Sequence, residues 1–452
     1  MPLLAGAATA DITPPVGGLM DGYGSRREGS QGVHDPLMAS ALVLDDSHER
    51  CAIVSCDLLG MHEWVTGEVR RRVGKATGIP PHNILVCATH NHAGPIGLRG
   101  GMFSRLDEAL ASSLAGKLTD AAVAAWEQRR PAALKVSQAT VDTVSMNRRD
   151  PDWPIDPALR VVLVDGEEGP IASLLNFACH GTVLSGANLQ LSGEFPGAAC
   201  RLLQRETGAP AVYLNGACGN VNPVWIRQDF ESVERVGQII GGQALRLIGE
   251  LRTAGPGQRA HNIRWDEFPE KPAPGRLVQP RLRVARAEVE LPLREFAPDA
   301  EYAARSSELE TRAAALAPAS GGRRQVMAQL TRLQNERWAA AWARMQPDRR
   351  SQRAEVQALG LGDGLAVLAL PGEFFAETAA AIRAACAAPA GGQGIQDLLV
   401  ACYANDYIGY VIPAEAYEQG GYESGITFCG PEAEGIIVHT SLSLLKEVPN
   451  GD

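Results

Sequence analysis

The sequence predicts an α/β fold: a mixed, twisted β-sheet core flanked by helices, carrying an inserted helical hairpin arm. Short β-branched runs alternate with stretches of helical apolar spacing through the first half. Several of those runs end directly in polar, Gly-rich segments, which is where α/β folds build their sites. One late stretch, 299–344, is dense in Ala, Arg, Glu and Leu and is broken by Pro318-Ala319-Ser320-Gly321-Gly322, so it reads as two helices and a turn.

The elements follow in order. Ala39–Leu44 and Ala52–Ser55 read as neighbouring strands joined by Asp45-Asp46-Ser47-His48. A helix over about 62–77 is stopped by Gly78 and two prolines. Asn83–Ala88 is an apolar strand that runs straight into Thr89-His90-Asn91-His92-Ala93-Gly94-Pro95, and Leu106–Trp126 is helical by its apolar spacing. Ala133–Val144, Arg160–Val164 and Ile171–Phe177 are strands, the last ending at Cys179-His180. Ala211–Leu214 enters a loop, Asn215-Gly216-Ala217-Cys218-Gly219-Asn220. His261–Pro280 is polar and proline-broken, hence surface loop, and Leu282–Leu293 alternates like an exposed strand. The core resumes with Glu355–Leu361, a Gly362-Asp363-Gly364 turn, Leu365–Leu370 and a helix over about 374–387. This divides the chain into a core of 1–296 and 355–452 and an arm of 297–354, read as a packing appendage or self-association surface rather than a ligand site. No internal repeat is visible at any period.

Composition narrows the function. At 452 residues, 45% hydrophobic and 21% charged, the chain is ordinary for a globular enzyme and unlike a disordered protein. A formal charge of −10 argues against a nucleic-acid partner. No apolar run approaches the ~18–20 residues that cross a bilayer, so no membrane partner is expected. The opening Met1-Pro2-Leu3-Leu4-Ala5-Gly6 has neither a basic nor an apolar leader region, and the nine cysteines contain no CxxC pair. The expectation is a cytoplasmic protein with reduced, buried thiols.

Candidate chemistry sits at the strand ends. His90 and His92, two apart after a strand, project to the same side and suit a zinc site, or one ligand with one acid/base. Backbone-bonded loop histidines are the plain alternative. His180 repeats the pattern after another apolar strand, and Glu373 repeats it with a carboxylate after Leu370-Pro371-Gly372. Either could be structural, Glu373 as a helix-start charge. The segment Tyr403-Ala404-Asn405-Asp406-Tyr407-Ile408-Gly409-Tyr410, followed by Tyr417 and Tyr422, offers phenols for packing, for a metal or for an oxyanion.

Taken in order, these residues resemble the neutral (non-lysosomal, alkaline) ceramidases and their bacterial relatives. Ala5-Gly6-Ala7-Ala8-Thr9-Ala10-Asp11-Ile12-Thr13-Pro14-Pro15, Gly22-Tyr23 and Val33-His34-Asp35 are similar to that family's N-terminal signature. Thr89-His90-Asn91-His92-Ala93-Gly94-Pro95 is similar to its Thr-His-Thr-His-Ser-Gly-Pro string. Met146-Asn147-Arg148, Asn176-Phe177-Ala178-Cys179-His180, Ser192-Gly193-Glu194, Leu370-Pro371-Gly372-Glu373 and Gly409-Tyr410-Val411 through Tyr422-Glu423 follow in the family's order. The resemblance covers nearly the whole chain except the arm.

It implies one catalytic Zn2+ held by His90, His180, Glu373 and Tyr410, with His92, Arg148 and Tyr422 lining the scissile amide. Asn222 and His34 are expected to contact substrate. The family's Gly-Asp-Val-Ser-Pro loop reads Gly219-Asn220-Val221-Asn222-Pro223 here, so no serine nucleophile stands at that point. The family's C-terminal β-sandwich is not expected here. The expected function is a zinc hydrolase that cleaves an amide-type C–N bond of a small polar molecule with activated water. Lactone or ester hydrolysis, ceramide hydrolysis and a non-catalytic zinc-stabilised protein are the alternatives, and a homo-oligomer is left open.

Overall fold

The computed structural model describes residues 2–99, 105–225, 227–253, 275–387 and 394–448. Three sheets carry the fold. In the first, Leu4–Asp11 (β1), Met38–Asp45 (β2) and Arg50–Cys56 (β3) form an antiparallel meander, and Ile84–Ala88 (β4) joins β3 in parallel. A parallel neighbour needs a crossover, which Glu63–Thr77 (α1) supplies between β3 and β4, and Glu108–Glu127 (α2) follows. The second sheet repeats this plan with Ala133–Thr140 (β5), Ala158–Gly166 (β6), Gly169–Phe177 (β7), Glu194–Thr207 (α3), Ala211–Asn215 (β8) and Phe230–Thr253 (α4). The third does so with Arg283–Pro292 (β9), Ser351–Gly362 (β10), Leu365–Ala369 (β11), Ala376–Ala387 (α7), Asp397–Ala401 (β12) and Ala433–Glu447 (α8). Between β9 and β10 stand the arm helices Asp299–Ala314 (α5) and Gly321–Arg344 (α6).

The chain is therefore three copies of a β-β-β-α-β-α unit, each with its strands in spatial order fourth, third, second, first. The repeat is one of topology and not of sequence: the connections after the first strand (12–37, 141–157 and 293–350) differ in length and composition, and no fixed period is visible.

Strand alternation builds the layers. Leu42, Ile53, Val162, Leu174, Val367 and Leu399 share one central buried cluster, so the inner faces of all three sheets meet. The alternate residues face outward. Ala41 and Val54 pack with Val65 and Val69 of α1, and Leu163 and Leu175 pack with Leu203 of α3 and Ile240 of α4. Near the site, polar side chains tie the sheets together. Ser55 on β3 donates to the Tyr213 carbonyl on β8 at 2.5 Å, and Asn176 on β7 donates to the Val400 carbonyl on β12 at 2.8 Å. Asn405 after β12 accepts from the Val86 amide on β4 at 3.1 Å.

Several expectations shift. The third-sheet helix begins at Ala376, because Glu373–Phe374 pairs as a short parallel strand with Tyr410–Val411. The strand from Ala133 stops at Thr140. Of the proposed surface loop, 261–274 lies outside the described residues, and Arg276–Val278 adds an edge strand to β5. All nine cysteines are free. No helix among the described residues is long and apolar enough to cross a membrane.

Candidate metal centre and active site

The site lies where the third and fourth strands of the three units end. His180 follows β7 and Glu373 follows β11, both third strands, while the corresponding segment after β3 brings the Leu59 carbonyl. After the fourth strands come His90 and His92 (β4), Asn222 (β8) and Tyr407 and Tyr410 (β12). The connections after the first strands supply the walls: Asp21, Tyr23 and Arg26 from 12–37, Arg148 from 141–157, and Asn335 and Trp338 from 293–350. All face one cleft of about 1000 Å³.

The histidines are oriented by backbone carbonyls, which can only accept. His90 Nδ1 donates to Leu59 O at 2.7 Å, His180 Nδ1 to Cys218 O at 2.7 Å and His92 Nδ1 to Gly22 O at 3.1 Å. That fixes each tautomer and leaves every Nε2 with a lone pair. The available ring nitrogens of the three lie within 4.8 Å of one another. Tyr403 stacks on His90 at 3.8 Å and 12°, and His90 itself sits at φ +61, a left-handed conformation that a non-glycine adopts at a cost of about 1–2 kcal/mol. Burial pushes His180 down to about 4; it also pushes His92 well below its ordinary value, with the neighbouring imidazoles of His90 and His180 adding to the effect. Both are neutral at pH 7.

Glu373 completes the centre. Its Oε1 accepts the Tyr407 hydroxyl. Its Oε2 is 3.2 Å from His180 Nε2 and 3.5 Å from His90 Nε2, yet it is buried without a hydrogen-bond partner. Lone pairs face a carboxylate oxygen at separations close to the ~3.3 Å edge of a tetrahedron with ~2.0–2.1 Å bonds to zinc. Two imidazole lone pairs facing an orphaned anionic oxygen fit a cation, so the residues present fit a metal.

Tyr410 is brought beside Glu373 by register, since the two are direct partners in the short parallel pair. Its hydroxyl lies 2.9 Å from Arg148 Nη2, while Arg148 Nε donates to Glu423 Oε1 at 2.7 Å and Nη1 reaches Asn222 Oδ1 at 3.4 Å. Asn222 is held by the pairing of Val221–Pro223 with Ser145–Asn147, which also places Arg148. Tyr422 stands edge-on to Tyr410 at 6.0 Å and remains about half exposed on the cleft.

The structure thus brings together His90, His92, His180, Glu373, Tyr410, Arg148, Tyr422 and Asn222. It does not bring His34 there. That ring stacks on Phe230 of α4 at 3.7 Å, outside the cleft lining. The neighbouring Asp35 is structural as well, accepting from Ser192 Oγ, the Gly193 amide and Arg201. Sequence reasoning missed Tyr407, although it lies in the tyrosine-rich segment, and the bidentate pair of Arg99 with Asp21. It also set the arm apart from any ligand. Two of its residues, Asn335 and Trp338, line the cleft.

The family model "Neutral/alkaline non-lysosomal ceramidase, N-terminal" matches residues 3–217. Over that segment, just under half of its length, the chain is similar to that family. It is 29% identical over 239 residues to the neutral ceramidase of Mycobacterium tuberculosis, an alignment covering 47% of this chain and 37% of that protein. To the neutral ceramidase of Pseudomonas aeruginosa it is 24% identical over 493 residues, covering 99% of this chain and 73% of that protein. The crystal structure of the Pseudomonas enzyme superposes with a TM-score of 0.73 at 19% identity, covering 100% of this chain and 76% of that one, which shows the fold. Against the M. tuberculosis relative the chain spans little more than a third of its length. His90, His92, Arg148 and His180 fall inside the matched segment. Asn222, Glu373, Tyr410 and Tyr422 lie beyond it and reach the centre through the third unit and the β8 loop.

Proposed function

We propose that the chain is a zinc-dependent hydrolase of an amide C–N bond. The observation that carries this is the buried, unpartnered Glu373 Oε2 facing the Nε2 atoms of His90 and His180. His90, His180 and Glu373, with Tyr410 alongside, would hold the ion, and neutral imidazoles with a carboxylate and a phenol are a donor set that suits zinc. Zinc there would supply Lewis acidity toward a carbonyl and an acidified water.

The protein's own groups do the rest. His92 is neutral and its Nε2 lies 3.3 Å from His90 Nε2, so it can take up a proton and pass it to the departing amine. Arg148 stays cationic through Glu423 and Tyr410, and it holds Asn222 and Tyr410 in place. Tyr422 presents its phenol to the cleft as a donor for the carbonyl oxygen. Similarity to neutral ceramidases supports amide chemistry. The rim modifies the expectation of a small polar substrate: Leu19, Ile96, Trp225, Trp338 and Tyr422 are all substantially exposed around the one cleft. An amide with an apolar chain fits such a lining better than a wholly polar metabolite. The test is chelation and zinc readdition while following release of amine from N-acyl amides. Turnover that survives complete metal removal would refute the proposal.

A further inference from the structure

We infer that the helical arm is the selectivity wall of the cleft, with Trp338 as the surface against which the apolar chain of the amide packs. This rests on the amide-hydrolase reading above and assigns a role to a part of the chain outside the segment that the family model matches.

The first support is topological. Each of the three units inserts its connection after the first strand into the cleft, and the arm is the third unit's insertion. It stands where 12–37 and 141–157 stand in their units, and those two supply Tyr23 and Arg148. The second is the way Trp338 is held. Its ring lies 5.9 Å from buried Phe428 and 6.2 Å from Trp342, and the next two residues, Ala339 and Ala340, are fully buried. Helix α6 therefore cannot roll, yet 37% of Trp338 stays exposed, toward the cleft. A rigid aromatic surface of this kind offers apolar contact at little entropic cost.

The third support is mechanical continuity with the site. Asn335, one turn before Trp338, lines the same cleft and abuts Gly425 of the short helix Tyr422–Ile426. Arg294, at the root of the arm, donates to the Ser424 carbonyl at 2.5 Å, and its amide donates to Phe428 O at 2.9 Å. The wall and Tyr422 are thus one packed body. An apolar chain leaving a carbonyl held near Tyr422 meets Ile426 and Trp338.

The experiment compares the wild type, Trp338→Ala and Trp338→Phe on N-acyl p-nitroanilides from acetyl to dodecanoyl. Trp338→Ala should lower the dodecanoyl-to-acetyl ratio of kcat/KM about tenfold, chiefly through KM. Zinc content should stay unchanged, the acetyl amide should lose less than the dodecanoyl amide, and Trp338→Phe should recover most of the ratio. Dodecanoate binding followed by calorimetry should weaken in parallel without any turnover. An unchanged ratio, or an equal loss on every chain length, would overturn the wall. Trp338-dependent dodecanoate binding by a wild type that hydrolyses no amide supports the wall and refutes the reaction instead.

Discussion

At the scale of single residues, the centre depends on which nitrogen of each histidine is free. Carbonyls of Leu59, Cys218 and Gly22 take the Nδ1 protons, so the Nε2 lone pairs of His90 and His180 face Glu373 Oε2 with no proton between them, and His92 Nε2 lies beside His90 Nε2 at 3.3 Å. Without a cation this is repulsive, and with one it becomes a binding site. His180→Ala and Glu373→Ala are each expected to abolish zinc content by elemental analysis. His92→Ala should keep the zinc and lose roughly 10²–10⁴ in turnover, the usual span for a missing general acid or base. Loss of zinc in His92→Ala would make His92 a ligand, an arrangement its 3.3 Å separation from His90 also permits.

At the scale of elements, the centre is a problem of close approach. Glu373 reaches Tyr410 only because Glu373–Phe374 and Tyr410–Val411 pair, with the Glu373 amide donating to Gly409 O at 2.8 Å. A Cβ at Gly372 would stand 2.4 Å from that same Gly409 oxygen, so only glycine permits the approach. Gly372→Ala is expected to cost about 2–3 kcal/mol in denaturant unfolding and to lower zinc affinity, whereas Gly249→Ala on α4, which meets nothing, should do neither. The start of α3 carries a titratable counterpart. Glu194 is fully buried, and burial raises its carboxyl from 4.5 to about 7, although it accepts the Leu184 amide at 2.6 Å. A raised folded-state value means that the native state binds more protons between those two pH values. Stability is then fullest below about 4.5 and falls as pH rises through about 7, by up to ~3 kcal/mol. Glu194→Gln imitates the protonated form and should flatten this part of the Tm profile. An unchanged slope would show that another group causes it.

At the scale of the whole molecule, three sheets are joined at one end by polar side chains and single backbone hydrogen bonds rather than by a continuous ladder. Asn405 is the most committed of these. It accepts from the Val86 amide and donates to Gln357 Oε1 at 2.9 Å and Glu355 Oε1 at 3.0 Å. Asn405→Ala leaves buried Val86 N–H and Gln357 Oε1 unpaired, and at about 1–3 kcal/mol for each such group it should destabilise by about 3 kcal/mol. The same change removes one of the links between β4 and the third unit, leaving the backbone bonds Asn405 N to Val86 O and Ala88 N to Tyr403 O, so zinc affinity should fall with it. A variant with wild-type stability in urea would show that the sheets are held by their apolar faces alone.

The sequence by itself determined what local chemistry can determine: strands by alternation, α1 and α2 by apolar spacing, the arm by composition, and histidines and a carboxylate at strand ends. The ordered strings around His90, His180 and Glu373 made the resemblance legible before any coordinates. What only the tertiary structure decided depends on contacts between residues far apart in the chain. His34 sits inside a signature-like string and still stacks on Phe230, because a string does not say which face of a strand meets the cleft. Tyr407 reads as one tyrosine among several until Glu373 Oε1 is found on its hydroxyl. The threefold plan was hidden because topology repeats without residues repeating. The arm was set aside because Trp338 is an ordinary exposed helical residue until Phe428 and Gly425, nearly a hundred positions later, turn its helix toward the cleft.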